Sequence, residues 1–215
     1  MEDRSEDKRN RGKTFLYLVL CVIFFLGVYF LFFTEKDRII SAVRRGDVQT
    51  IKAMLESGTD PNTIYTPFLG TITKKQYLEK NFSLLILAIR NNNNTYETTK
   101  VLLEHGASIA NTKSPGSSIL YFAFANLDVV KLLVSYNADP LMKDRHGNNL
   151  LHVMPWNLAQ FPEQLKVAKY YIDAGVDPFS KNNSGQEALA RLKEMHAQAH
   201  QMLLDYIASK KGTAK

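Results

Sequence analysis

The amino-acid sequence predicts an all-α fold: a solenoid of about five helix-turn-helix repeats, preceded by one transmembrane helix. Three observations carry that expectation. A run of twenty residues near the start has no charged side chain. A four-residue turn recurs four times, each time behind a stretch with the same apolar spacing. A glycine recurs ten residues after three of those turns and opens a second, shorter helix.

The uncharged run is Thr14 to Phe33, TFLYLVLCVIFFLGVYFLFF. Wound as a helix it is about 30 Å long, the thickness of a bilayer's hydrocarbon core. It is apolar on every face, whereas a helix at the edge of a soluble core keeps a polar stripe. Tyr17 and Tyr29 suit the two interfaces as aromatic anchors. The stretch is longer than the apolar part of a signal peptide, and no small-residue cleavage pattern precedes Thr34-Glu35-Lys36, so it is expected to stay attached. Leu18-Val19-Leu20-Cys21 departs from a lipoprotein cleavage site at Leu20, and apolar residues continue well past Cys21. Residues 1–13 form a short charged tail with five basic residues (Arg4, Lys8, Arg9, Arg11, Lys13) against four acidic ones. Four basic residues, Lys36, Arg38, Arg44 and Arg45, follow the run. The excess of basic residues before the run favours a cytoplasmic N-terminus. Residues 34–215 are then expected on the far side, which in a bacterium means an inner-membrane protein with a periplasmic domain.

The repeat emerges by self-comparison. The turns are Gly58-Thr59-Asp60-Pro61, Gly106-Ala107-Ser108-Ile109, Asn137-Ala138-Asp139-Pro140 and Gly175-Val176-Asp177-Pro178. Six residues before each turn stands a lysine: Lys52, Lys100, Lys131, Lys169. Three and four residues before lie Leu55 and Met54, Leu103 and Leu102, Val134 and Leu133, Ile172 and Tyr171. Seven before come Ile51, Thr99, Val130 and Ala168. Positions −7, −4 and −3 share one helix face, and the lysine lies on another. Gly or Asn just past such a helix takes the left-handed conformation that ends it, and a following Pro prevents its continuation. Forward of the last three turns, Gly116, Gly147 and Gly185 introduce Ser118-Ile119-Leu120-Tyr121, Asn149-Leu150-Leu151-His152 and Glu187-Ala188-Leu189-Ala190.

In period and in turn chemistry these residues resemble the ankyrin repeat, a turn plus two helices in about 33 residues. Gly147-Asn148-Asn149-Leu150-Leu151-His152 is similar to its T-P-L-H helix start, although Ile119, Leu150 and Ala188 replace the proline. Five units are expected, at about 37–63, 82–112, 117–144, 148–180 and 184–210. No such helix pair buries its apolar face alone, so neighbours supply one another's core. The resemblance implies a binding module and no enzyme.

Composition excludes several other classes. Hydrophobic residues make up 45% and charged residues 22%, the balance of a folded protein, with a net charge of +6. No basic stripe interleaved with aromatics marks a nucleic-acid footprint. Cys21 is the one cysteine, which excludes an internal disulfide and a Cys-based zinc site. His196 and His200 share a helix face, but no third ligand accompanies them, so no metal is expected. His152, at the helix-start position, is expected to bond turn backbone. Ser117 and Ser118 follow Gly116 without a nucleophile elbow. The run Asn91 to Asn94 reads as a plain loop. No cofactor and no small-molecule substrate are expected.

Partner-binding candidates fall on two insertions, since additions to a repeat map to loops at a binding face. The first, Thr63 to Asn81, offers Tyr65, Phe68, Lys74, Lys75 and Tyr77. The second, Pro155 to Pro162, offers Trp156 and Phe161, for which sealing the stack is an equal alternative. Aromatic anchors flanked by charge are what protein interfaces favour. Lys143, Arg145 and Lys181 are expected to be solvated at turn tips. The anchored repeat domain resembles bacterial periplasmic ankyrin proteins, including type VI secretion immunity proteins, which implies a secreted toxin as partner and steric occlusion as mechanism. Support of a resident envelope enzyme, or a scaffold facing the cytosol, fits the same residues.

Overall fold

A computed structural model of the chain describes the backbone of residues 3–65, 82–91, 93–110, 118–156 and 161–213, and the side-chain surroundings of all these except 3–16, 28–34, 65 and 211–213. Among the described residues the fold is all-helical, with nine α-helices, one 3-10 helix and a single pair of two-residue strands. The chain divides into two compact units, Met1–Ser41 and Ala42–Lys215.

The first unit is the larger part of α1 (Asp3–Arg45), one uninterrupted helix. Its large apolar side chains from Tyr17 to Leu26 are exposed. Among the described residues no helix is long and apolar enough to cross a membrane. The anchor expected at 14–33 lies partly outside them, because the side chains of 14–16 and 28–33 are not described.

The second unit is built from five helix pairs. Residues 42–45, the end of α1, pair with α2 (Val48–Glu56). Next come α3 (Leu84–Arg90) with α4 (Thr95–Glu104), and the 3-10 helix Ile119–Phe122 with α5 (Leu127–Ser135). Then follow α6 (Leu150–Val153) with α7 (Phe161–Asp173), and α8 (Ala190–Met195) with α9 (Ala197–Thr213). Short polar side chains start most of them, because the first amides of a helix have no partner within it. Asp47 accepts from the Thr50 amide at 3.1 Å, and Asn126 from Val129 at 3.1 Å. Ser83 and Ser118 cap α3 and the 3-10 helix in the same way.

The second helices stack in chain order, α2 on α4, α4 on α5, α5 on α7 and α7 on α9. What joins them is the apolar face read from the sequence: Ile51, Met54 and Leu55, then Leu102 and Leu103, then Val130 and Leu133, then Ala168 and Tyr171 are all buried. The first helices make a parallel row, with α3 against the 3-10 helix and the 3-10 helix against α6. Between the first two pairs, β1 (Ile64–Tyr65) runs antiparallel to β2 (Phe82–Ser83).

All four second helices that precede a turn end identically. The amides of Gly58, Gly106, Asn137 and Gly175 bond the carbonyls of Leu55, Leu103, Val134 and Ile172. The next amides, of Thr59, Ala107, Ala138 and Val176, reach back to Met54, Leu102, Leu133 and Tyr171. This double closure demands a positive φ at the first turn residue, between 70° at Asn137 and 102° at Gly58. Two residues later a polar side chain tightens each turn, as Asp60, Ser108, Asp139 and Asp177 accept from the amides of Asn62, Ala110, Leu141 and Phe179.

The asparagine run does more than lengthen a loop, which corrects the sequence expectation. The Asn91 side-chain amide donates to the Val43 and Arg44 carbonyls, both at 2.7 Å, and the Asn94 amide donates to the Gly46 carbonyl at 3.0 Å. The last carbonyls of α1 lack partners within the helix, and the second pair supplies them.

Candidate partner-binding cleft

The cleft is assembled by two consecutive hairpin tips and α8. Each tip closes on a polar first residue. The Asp144 carboxylate accepts from the amides of His146 and Asn148, and the Asn182 side-chain oxygen accepts from those of Ser184 and Gln186. Burial pulls the Asp144 carboxyl upward, yet the bonds from Asn148 and His146 outweigh it and hold it below the ordinary carboxylate range. The tips then lock onto each other. The Asn183 amide donates to the His146 carbonyl at 2.9 Å, the Asn182 side-chain amide to the Asn148 side-chain oxygen at 2.8 Å. Gly147 permits this approach: with φ +73°, a Cβ there would stand 2.5 Å from the Asn183 side-chain oxygen.

Asn149 fixes α6 beside the tips. It is 3% exposed, and its side-chain oxygen accepts from the Leu151 and His152 amides. Its side-chain nitrogen donates across to the Asp177 carbonyl and the Ser180 hydroxyl, both at 2.8 Å. The His152 ring bridges the same two repeats. Its Nδ1 accepts from the Asn149 backbone amide, and its Nε2 donates to the Gln186 carbonyl at 3.1 Å. That is the backbone-bonding role expected of His152.

What these tips enclose against α8 is a solvent-open cleft of about 510 Å³. Its lining is polar, with His146, Gln186, Glu187, Arg191 and Glu194 prominent. Pockets that swallow small molecules are of this size but mostly apolar. An open polar recess instead suits side chains projecting from a partner's surface. Among the described residues no cluster of His, Cys, Asp or Glu is arranged to hold a metal. No ion pair joins Glu187, Arg191 and Glu194 to any described group.

Of the residues proposed from sequence, only some are described. Phe68, Lys74, Lys75 and Tyr77 lie outside the described residues. Tyr65 closes β1 opposite Phe82, its side-chain surroundings not described. Trp156 is fully buried, so of its two readings the structure takes the sealing one, and the indole offers no surface to a partner. Phe161 is half-buried at the start of α7, its ring 5.5 Å from that of His196. Lys143, Arg145 and Lys181 are exposed, as expected for tips. The cleft residues Glu187, Arg191 and Glu194 escaped sequence reasoning. The spacing of Glu187, Arg191 and Glu194 (four, then three) was the one available signal, and it reads equally as an ordinary solvated helix face.

Residues 39–144 match the family model for ankyrin repeats, in three copies. The chain is also 29% identical, over 122 residues, to an ankyrin repeat protein of Acanthamoeba polyphaga mimivirus. That alignment covers 49% of this chain and 20% of the viral protein, so the chain spans about a fifth of that relative's length. The matched span contains the first three helix pairs, and the turn that follows the fourth, at Gly175, closes as theirs do. Residues 39–144 are therefore ankyrin repeats, an interaction scaffold rather than an enzyme family, within an all-helical ankyrin-repeat fold.

Proposed function

We propose that this chain is a membrane-tethered module that binds another protein through the cleft between its last two hairpin tips and α8. The observation that carries the reading is the set of charged side chains without ion-pair partners among the described residues, Glu187, Arg191 and Glu194, on a polar wall. Interfaces of this kind gain selectivity and association rate from charge complementarity more than raw affinity. The tether is residues 14–33, supported by twenty uncharged residues in one helix and by the exposure of Tyr17 to Leu26. The charge distribution around the run favours residues 34–215 outside the cytoplasm, in a bacterial periplasm. Tethering raises the local concentration of the repeats near membrane-proximal partners.

A crosslinking experiment on the full chain tests the cleft. A photoreactive residue at Arg191 should capture a specific protein in cells, and Glu187→Lys with Glu194→Lys should abolish the capture without loss of helical signal. Capture unchanged by both reversals would refute the cleft as the binding surface. The narrower proposal, occlusion of a secreted toxin, draws on the resemblance of an anchored repeat domain to immunity proteins. Deleting the gene would then sensitise cells to a neighbouring strain that secretes the toxin, and unaltered survival in co-culture would count against it.

A further inference from the structure

We propose that the cleft between the last two hairpin tips and α8 takes a protein segment that inserts one cationic side chain, a lysine or an arginine, beside Glu187 and Glu194. This inference rests on reading that cleft as the binding surface and names the chemistry of what fills it.

The fold itself uses most of the hydrogen-bonding groups that line the cleft. The Asn148 side-chain amide donates to the Asp144 carboxylate at 2.9 Å. That of Asn182 donates to the Asn148 and Gln186 side-chain oxygens, at 2.8 and 3.2 Å. Both imidazoles are engaged as well. His152 Nε2 donates to the Gln186 carbonyl while its Nδ1 accepts from the Asn149 amide, and His146 Nε2 accepts from Arg145 Nε at 3.1 Å. A ring nitrogen that accepts carries no proton, so neither ring adds a positive charge.

What remains on the lining is Glu187, Arg191 and Glu194, all exposed and without ion pairs among the described residues. Two carboxylates against one guanidinium leave one negative charge. Neighbouring groups do not cancel it. Asp144 and Arg145 share a tip and offset each other, while Lys181 and Lys193 do not line the cleft and ion-pair with neither glutamate.

Open to water, that excess is solvated. A partner that covers the cleft expels the water, and a carboxylate covered without a counter-charge carries its desolvation penalty unrelieved. The covering segment must therefore bring one positive charge, and the same penalty selects against an acidic or wholly apolar one. The net charge of the chain, +6, acts in the opposite sense at long range, so this selectivity belongs to the cleft and not to the overall field.

The test places a photoreactive residue at Ser184, an uncharged position on the lining, in the full chain in cells, and sequences the crosslinked peptide of the captured protein. That peptide should contain a lysine or arginine whose replacement by glutamate lowers capture about thirtyfold or more, the scale for losing one partner of a covered charge pair. Changing one glutamate of the cleft, Glu187→Lys or Glu194→Lys, turns the lining net positive and should recover capture of that partner variant. Glu187→Gln with Glu194→Gln, which keeps shape and helical signal, should weaken capture of the natural partner. Capture that persists when every lysine and arginine of the crosslinked peptide is replaced overturns the cationic occupant and leaves the cleft as the binding surface. Dependence on an aspartate or glutamate of that peptide instead has the same consequence. Absence of any specific capture overturns both.

Discussion

Trp156 shows what a side chain's surroundings decide. The indole is fully buried, and its Nε1 meets no acceptor among the described residues. Trp156→Ala should destabilise the fold by about 3–5 kcal/mol, the range for losing a large core aromatic. Trp156→Phe should cost less, because no hydrogen bond is lost, and chemical denaturation of both variants measures the difference. Thr98 and Thr99 on α4 are fully buried with hydroxyls unpartnered among the described residues. A buried hydroxyl without a partner carries its desolvation cost uncompensated. Thr99→Val, which keeps the shape and removes the hydroxyl, is expected to be neutral or stabilising by up to about 1 kcal/mol, read as a shift in the denaturation midpoint. Tyr121 behaves similarly on titration. Burial, then the negative charge of Asp144, pushes its phenol up to about 12. The folded state thus favours the neutral form, so stability present below pH about 10 falls as pH rises from there towards about 12. Ultraviolet absorbance and helical signal, followed together through that window, check the coupling.

Elements in this chain are specified more by their ends than by their interiors. The 3-10 helix and α6 are four residues each, too short to persist by propensity. They exist because Ser118 and Asn149 cap them and because neighbours bury Leu120, Leu150 and Leu151. Gly147→Ala should cost more than about 1 kcal/mol, since the left-handed backbone and the Asn183 side chain, held by the Arg145 carbonyl, both oppose a Cβ. Loss of hydrogen-exchange protection at the Asn182–Gln186 tip should accompany it. At the other end, α9 is clamped to α7. Asp173 takes Lys210 at 2.6 Å and the Tyr206 hydroxyl at 2.7 Å, while Lys169 lies 4.9 Å over the Tyr206 ring. Desolvation raises the Asp173 carboxyl, but the Lys210 and Tyr206 bonds prevail and hold it below its usual value. A depressed carboxyl contributes stability above its unfolded value, about 4, and loses it as pH falls through the folded one. Amides of α9 should therefore exchange faster under acid than those of α4. Equal acceleration in both helices would contradict the clamp. The contribution is small, because the pair is well exposed.

Across the whole molecule, most of the architecture was legible in the residues. In the −7, −4, −3 frame every residue at −7 and −4 is buried, while at −3 Leu55 and Leu103 are buried and Val134 and Ile172 half-buried, and the first residue of each of the four turns adopts positive φ. Local chemistry sufficed there, because a helix end and its apolar stripe are set within about ten residues of chain. The site was not legible. Glu187, Arg191 and Glu194 become a wall only because the hairpin tips at Asp144 and Asn182 stack opposite α8, contacts that join residues far apart in sequence. For the tether, alkaline extraction of membranes should leave the full chain in the pellet and release a chain lacking residues 14–33. Release of the full chain would remove the membrane from its function.

Sequence alone determined the repeat: its period, its turn residues and the helix face that each copy buries. Those depend on backbone conformation and on spacing along one helix, which neighbours in the chain dictate. Tertiary structure alone decided what the loops do. It drew Trp156 inside, set Asn91 on the last carbonyls of α1 and Asn94 on that of Gly46, and left Leu141 and Phe179 exposed. In each case a side chain's fate followed from which surface of another repeat came within reach, and spacing along the chain carries no record of that.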